Sequence, residues 1–452
     1  MKITGIEIGD YRQFKNIKFD FTYPEGHPKE GQPLEKVCFI GQSGTGKTTL
    51  LKMLREYSRY LVYGLNNLLE NGSLYDLTEK EIPSGFLQNL AISSSFGNTS
   101  TKLTIPKDIK IKALSSWIEE NKLVDELKNT NKLSIYISDS VANEAEKLLM
   151  KEVEDKDPFG FINTQKQIDE GRNKKKEEIN RISKLKGIWL GEGAPKSLWE
   201  YILSDINDYD LESKNIALKL IQNTDSFSTN KLIDDLKKWK SENINPRITL
   251  AEKCLNPLLH KFYLEVDTEN ASAPVVVKTR SGNTIVNSIL STGTKQLVAT
   301  ALPLYRLDTK ESTIFFDEPE RSLFPDIQRG LIDYYTSLAP EAQFFFATHS
   351  PIIASAFEPC ERFILHFDEN GEVKCRNGVA PIGDDPNDIL RKDFGMSPLV
   401  PDEGVDAYRK YLDLASRIKN EPDIQRRMEL IAERAKLGND YNFPVATLDE
   451  KN

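Results

Sequence analysis

Apolar and polar positions alternate along this chain in two rhythms. Near the start Ile3, Ile6 and Ile8 recur at strand-like spacing, and Phe14-Lys15-Asn16-Ile17-Lys18-Phe19-Asp20-Phe21 alternates more cleanly. A Pro/Gly-rich, hairpin-like loop from Pro24 to Pro33 separates them from Val37-Cys38-Phe39-Ile40, an apolar run of the length of a buried strand. The rhythm then turns helical: Leu51, Leu54, Tyr57 and Leu61 predict a helix from Thr48 to about Leu69. Residues 71 to 105, rich in Ser, Asn and Gly, predict short strands and loops, and Leu133-Ser134-Ile135-Tyr136-Ile137 predicts a further strand.

From about residue 140 to 258 Lys, Glu and Asn dominate and apolar residues fall at helical spacing, as in Leu232, Ile233, Leu236 and Trp239. This predicts a helical insertion whose heptads are too short-lived for a long coiled coil. Within it Lys174-Lys175-Lys176, followed by Glu177-Glu178, is either a solvated helix face or a nucleic-acid contact. Strand chemistry returns at Phe262-Tyr263-Leu264-Glu265-Val266 and Val275-Val276-Val277. Strand and helix then alternate to about residue 380, through Thr313-Ile314-Phe315-Phe316, a helix from about Asp326, and Gln343-Phe344-Phe345-Phe346-Ala347-Thr348. Near-continuous apolar strands of this kind belong inside a mostly parallel sheet covered on both faces. The tail predicts two helices, the first with Val405, Tyr408, Leu412 and Ala415 on one face, the second starting at Pro422 and stopping before Gly438. The pattern divides the chain at 1–139, 140–258, 259–400 and 401–452.

Composition narrows the class only a little. Hydrophobic residues at 39% and charged residues at 29% describe an ordinary soluble chain, and a net charge of −9 argues against a nucleic-acid-coated protein without excluding a local basic groove. Cys38, Cys254, Cys360 and Cys375 lie far apart, as do His27, His260, His349 and His366, so no zinc cluster is expected and a reducing cytoplasm suits the thiols. No run approaches the roughly 18 apolar residues of a membrane span. A cytoplasmic protein without membrane partners is the expectation.

The chemistry is concentrated in four places. Gly41-Gln42-Ser43-Gly44-Thr45-Gly46-Lys47-Thr48, with Thr49 following, is a complete G-x-x-x-x-G-K-[ST] loop between a predicted strand and a predicted helix. Its glycines let backbone N–H groups surround a β-phosphate, Lys47 reaches the β- and γ-phosphates, and the Thr48 hydroxyl serves Mg²⁺. A nucleoside triphosphate with Mg²⁺ is therefore the expected ligand. Ile314-Phe315-Phe316-Asp317-Glu318-Pro319 ends an apolar strand in adjacent carboxylates: Asp317 for the metal, Glu318 to orient and deprotonate the attacking water. A second core strand ends in Ala347-Thr348-His349-Ser350-Pro351, where His349 can donate to a γ-phosphate. Finally, Leu290-Ser291-Thr292-Gly293 opens a helix, so Ser291 and the N–H groups near Gly293 present donors to an anion, or simply cap that helix.

The order of these motifs (phosphate loop, long insertion, L-S-x-G, D-E-P, T-H-S) resembles the ATP-binding-cassette class of ATPases. More narrowly, Ile6-Glu7-Ile8-Gly9-Asp10-Tyr11-Arg12-Gln13-Phe14 is similar to the arginine-bearing start of the RecF/SMC branch. The D-E-P-E-x-x-L-x-P-x-x-Q pattern from Asp317 to Gln328 resembles the OLD-type and Septu PtuA-type ATPases of bacterial anti-phage defence. The resemblance covers roughly 1–139 and 259–380. It implies an α/β head with a mixed, mainly parallel sheet flanked by helices, carrying a helical insertion and a helical tail. It also implies that the triphosphate is ATP and that two are sandwiched between two heads, with Ser291 touching the γ-phosphate of the other subunit and Arg12 contacting phosphate in cis. Departures are plain: the signature reads L-S-T-G-T, Phe324 stands where a histidine is common, and the Mg²⁺-sensing glutamine has no clear place, Gln88 being a guess only.

An ATP-driven switch built from a homodimer, or a larger even number of copies, is the first expectation. Without a second catalytic signature, a toxic or nucleolytic output falls to a separate effector protein. A DNA-repair ATPase acting on DNA ends and a largely non-hydrolysing ATP-dependent scaffold are the alternatives.

Overall fold

In the computed structural model the described residues are 1–69, 89–97, 99–106, 111–143, 176–222, 229–285, 289–396, 402–441 and 443. Gln88, Lys174 and Lys175 lie outside them, as do the side chains of Leu232, Ile233 and Leu236. Two compact units divide the chain, 1–384 and 385–452.

The first unit is built on one large sheet. Its strands are β1 (Lys2–Tyr11), β2 (Phe14–Asp20), β3 (Lys36–Gly41), β4 (Leu90–Phe96), β5 (Thr99–Ile105), β6 (Ser134–Ile137) and β7 (Gly187–Leu190). A small three-stranded sheet takes β8 (Leu264–Val266), β9 (Val277–Thr279) and β10 (Thr284–Ile285). The large sheet is completed by β11 (Thr313–Asp317), β12 (Gln343–Ala347), β13 (Arg362–Phe367) and β14 (Val373–Asn377). Its order is β5-β4-β1-β2-β14-β13-β3-β12-β11-β6-β7. From β13 to β7 every neighbouring pair is parallel, whereas β5, β4, β1 and β2 form an antiparallel flank. A mixed, mainly parallel sheet flanked by helices is thus the observed fold.

Aromatic side chains alternate through the central strands and fill both faces. On one face Phe21 meets Phe345 and Phe363 at 5.2 Å each, and Phe315 stacks on Phe345 at 5.6 Å. The apolar stripe of the helix Lys47–Leu68 joins this same core. On the other face Phe316 stacks on Tyr335 at 4.6 Å and on Phe346 at 5.5 Å, beneath the helices Thr292–Arg306 and Leu331–Leu338. Double-sided burial explains why residues 314–316 of β11 and 344–347 of β12 are apolar at every step rather than at alternate ones.

Three local readings are corrected. Residues 140–258 are not wholly helical, because β7 lies within them and pairs in parallel with β6 at the sheet edge. In the second unit the helix Ile424–Tyr441 runs through Gly438 instead of stopping there, and it starts after Pro422, with the Asp423 carboxylate accepting from Gln425 N at 2.8 Å. The helix Asp402–Asn420 buries Tyr411 and Leu414, whereas Tyr408 and Leu412 of the expected face are 37% and 45% exposed. Gly438 explains part of this: a Cβ there would stand 3.2 Å from the Tyr411 ring, so its small size admits that ring between the helices. Among the described residues no helix is long and apolar enough to cross a membrane.

Candidate nucleotide site

The parallel strands deliver their C-terminal ends to one edge, and Asp317 lies beside Ala347 in the register of β11 and β12. β3 ends at Gly41, whose φ of 143° and position leave no room for a side chain, since a Cβ would lie 2.0 Å from the Leu365 carbonyl oxygen. The loop then turns through Gly44 and Gly46, both at positive φ, before the helix Lys47–Leu68 begins. Only glycine adopts this path without strain. At Gly46 a Cβ would meet Gln13 Nε2 at 2.5 Å and the Phe14 ring at 2.6 Å. The neighbour is the two-residue turn between β1 and β2, in which Arg12 sits at φ 52° and Gln13 Nε2 donates to the Gly44 carbonyl at 3.2 Å. Arg12 itself is exposed, its guanidinium 5.3 Å above the Tyr11 ring. The hairpin tip thus braces the loop through Gln13 and leaves Arg12 exposed beside it.

Lys47 Nζ donates to the carbonyls of Gly41 at 2.9 Å and Gln42 at 3.1 Å, and Thr45 Oγ1 donates to Gln42 O at 2.8 Å. Thr48 Oγ1 donates to Asp317 Oδ1 at 3.0 Å, and Tyr136 OH donates to Asp317 Oδ2 at 3.2 Å. Burial pushes the Asp317 carboxyl up to about 6, against the pull of both hydroxyl donors. Burial pulls Lys47 down to about 8, although Asp317, Glu318 and Glu320 oppose it. An acid raised and a base lowered in one place mark a site short of countercharge on both sides. A divalent cation arriving with a polyphosphate meets both needs, and a hydroxyl beside a carboxylate is the oxygen donor set that Mg²⁺ takes. The residues present therefore fit the expected ligands.

Glu318 follows Asp317 at φ 50°, a left-handed conformation rare for a side-chain-bearing residue, and its N–H donates to the Ala347 carbonyl at 2.8 Å. His349, exposed just past the end of β12, is held below its ordinary value by the partial desolvation of its ring and by the Lys47 charge, against the opposing field of Glu318. Lys47, Thr48, Asp317, Glu318 and His349 therefore gather at one edge of the sheet.

Ser291 caps the helix Thr292–Arg306, accepting from Thr294 N at 3.1 Å. A Cβ on Gly293 would lie 2.6 Å from the Ser322 carbonyl, so this glycine lets the helix start approach the turn after the paired carboxylates. Among the described residues no hydrogen bond joins Ser291 or Gly293 to the phosphate loop of the same chain.

Sequence reading passed over several residues. Tyr136, taken as one more apolar strand position, reaches Asp317. Arg321, four residues beyond Asp317, pairs with Asp139 just past β6. Glu320 and Gln328 stand in the D-E-P-E…Q pattern, yet nothing in the spacing reveals what they hold.

A glycine-cradled phosphate loop at the C-terminal edge of a mixed sheet, beside a hydroxyl–carboxylate pair, is the architecture of the phosphate-loop nucleotide-binding class. The chain belongs to the AAA ATPase domain family AAA_15, whose model matches residues 1–354. It is also similar, at 12% identity, to the Smc head domain with an extended coiled coil bound to the C-terminal domain of ScpA from Pyrococcus furiosus, over 83% of this chain and 96% of that one, with a TM-score of 0.37. A second structure, the SmcHead bound to the C-winged helix domain of ScpA, matches at 12% identity over 83% of this chain and 98% of that one, with a TM-score of 0.38. The family assignment rests on the sequence match.

Proposed function

We propose that this chain is an ATP-hydrolysing switch, built from two or a larger even number of copies, that acts as the regulatory ATPase of a bacterial anti-phage system and controls a separate nuclease or toxin. The observation that carries the ATPase reading is the convergence of Lys47, the Thr48–Asp317 pair, Glu318 and His349 at one sheet edge. In this reading Lys47, the loop N–H groups from Gln42 to Thr49 and, in cis, Arg12 bind the phosphates. Thr48 and Asp317 hold Mg²⁺, which when bound neutralises phosphate charge as it develops. Glu318 orients the attacking water and takes its proton, and His349 donates to the γ-phosphate. Ser291 and the N–H groups near Gly293, which among the described residues make no hydrogen bond to their own phosphate loop, serve the partner's nucleotide. A site completed only by a second copy makes ATP binding favour the closed assembly and hydrolysis release it. The defence role rests on the resemblance of Asp317 to Gln328 to the defence ATPases.

Three variants test this reading. Lys47→Ala is expected to lose ATP binding or turnover. Glu318→Gln is expected to bind ATP, stop turning over and accumulate as a dimer by light scattering. Ser291→Arg is expected to bind ATP as a monomer without turnover. A Ser291→Arg protein hydrolysing at the parent rate would overturn the shared site, and a strictly monomeric ATP-loaded Glu318→Gln protein would overturn the switch.

A further inference from the structure

The turn that carries His349 is gripped from behind by two side chains that the phosphate chemistry leaves without a role. Glu320 Oε1 accepts from Thr348 Oγ1 at 2.6 Å and from the backbone N–H of His349 at 3.0 Å. Gln328 Oε1 accepts from Ser350 Oγ at 2.6 Å, while its Nε2 donates to the Leu323 carbonyl at 2.9 Å. Ser350 Oγ in turn accepts from Ile353 N at 3.2 Å, and Thr348 Oγ1 accepts from Ser350 N at 2.9 Å. Thr348 is fully buried and Ser350 is 9% exposed, so the flanks of the turn are fixed in the protein while His349 between them is exposed. Both holding residues come from the segment directly after Asp317 and Glu318. That segment thus binds the end of one core strand to the end of the next.

We infer that Glu320 and Gln328 are positioning residues that set the His349 imidazole by clamping the backbone on either side of it. This rests on the reading of His349 as a γ-phosphate donor. Glu320 is the more telling of the two, because its carboxylate holds the His349 N–H itself. A carboxylate acceptor makes charge-assisted bonds, and the one from Thr348 is partly buried, so this single oxygen ties the exposed His349 N–H to a fixed point. Neither residue touches the phosphates in this scheme. Their effect belongs to the rate at a fixed nucleotide affinity, since a displaced donor loses alignment while the phosphate loop stays intact.

The test compares Glu320→Ala, Glu320→Gln, His349→Ala and the double variant Glu320→Ala/His349→Ala in the full chain. Glu320→Ala is expected to lower kcat about 10- to 100-fold. Its KM and its affinity for a non-hydrolysable ATP analogue should stay within about threefold of the parent. Glu320→Gln keeps an amide oxygen for the same two donors and is expected to recover most of the loss. The double variant should be no slower than His349→Ala, since a clamp has nothing to hold once the ring is gone. A second readout needs no turnover. With four histidines in the chain, the ¹³C-histidine signal that disappears in His349→Ala reports this ring, and it should shift in Glu320→Ala and return in Glu320→Gln. Additive losses in the double variant, parental kcat in Glu320→Ala beside a slowed His349→Ala, or an unmoved His349 signal each overturn the clamp. A His349→Ala protein at the parent rate overturns the catalytic reading of His349 instead, and the signal alone then decides whether the clamp exists.

Discussion

Glu361 illustrates how one buried carboxyl is written into stability as well as structure. It is 2% exposed, accepts from Glu358 N at 2.8 Å and from Tyr23 OH at 3.4 Å, and lies 3.7 Å from Lys36 Nζ. Burial outweighs these partners and raises its carboxyl from 4.5 to about 7. The folded chain therefore holds this proton more tightly than the unfolded chain does, so Glu361 makes stability fall as pH rises from about 4.5 to about 7 and adds no slope beyond. A Gln at 361 keeps an acceptor for Glu358 N, reverses the Tyr23 bond by donating its amide N–H to the phenol oxygen, and never ionises. Glu361→Gln should flatten that part of the pH profile and be more stable than the parent at pH 8 by about 1–3 kcal/mol, from 1.36 kcal/mol per pKa unit less the lost Lys36 attraction. Urea midpoints at pH 5 and pH 8 check it: the two proteins should nearly coincide at the lower pH and separate at the higher. A gap that is the same at both pH values would mean the carboxyl titrates as an ordinary one.

At the scale of elements, local pattern and tertiary need part company in instructive places. The helix Lys47–Leu68 and strands β3, β11 and β12 follow from apolar runs and their period, because each carries its own signal of burial. β7 does not: it is a four-residue edge strand in a helical neighbourhood, and only its pairing with β6 makes it a strand. The positive φ of Glu318 and the grip of Glu320 on the next strand depend on strand order, which a single chain's spacing does not encode. Gly438 misleads for a different reason. A glycine near a helix end usually ends it, but here it lies inside the helix and makes room for Tyr411. Two effects compete when it is replaced. Ala gains about 1 kcal/mol of helix propensity yet sets its methyl in a tight 3.2 Å contact with the ring, so Gly438→Ala should be close to neutral. Gly438→Leu adds bulk that the contact does not admit and should cost about 1–3 kcal/mol, read as faster hydrogen exchange in 402–441. Faster exchange in Gly438→Ala than in Gly438→Leu would contradict the packing account.

At the scale of the first unit, the sheet is assembled from strands hundreds of residues apart, and one side chain joins three of the segments. Gln343, the fully buried first residue of β12, accepts from Ile3 N at 2.7 Å and donates to Ile3 O and Leu34 O, both at 2.9 Å. Ile3 needs such a partner. The β1–β2 ladder begins only at Gly5, preceded by the bond from Phe21 N to Thr4 O at 2.9 Å, so among the described residues Ile3 itself has no backbone partner on that side. Leu34 stands just ahead of β3, so the same amide links the N-terminal strand, the strand that feeds the phosphate loop and the strand that ends at Ala347, just before Thr348. Replacing it with a leucine of similar volume leaves the cavity filled and orphans one N–H and two carbonyls. The expected loss is on the order of 3 kcal/mol, since an unmade buried bond costs about 1–3 kcal/mol and carbonyls tolerate it better than N–H groups. Gln343→Glu should be worse still, because it keeps one acceptor role, faces two carbonyls with a carboxylate and buries its charge. Urea midpoints should therefore rank parent, then Gln343→Leu, then Gln343→Glu, with hydrogen exchange in residues 1–10 rising in the same order. If Gln343→Leu keeps the parent's midpoint, the N-terminal strand is held by its apolar face alone, and the amide is a bystander in how the two ends of the unit meet.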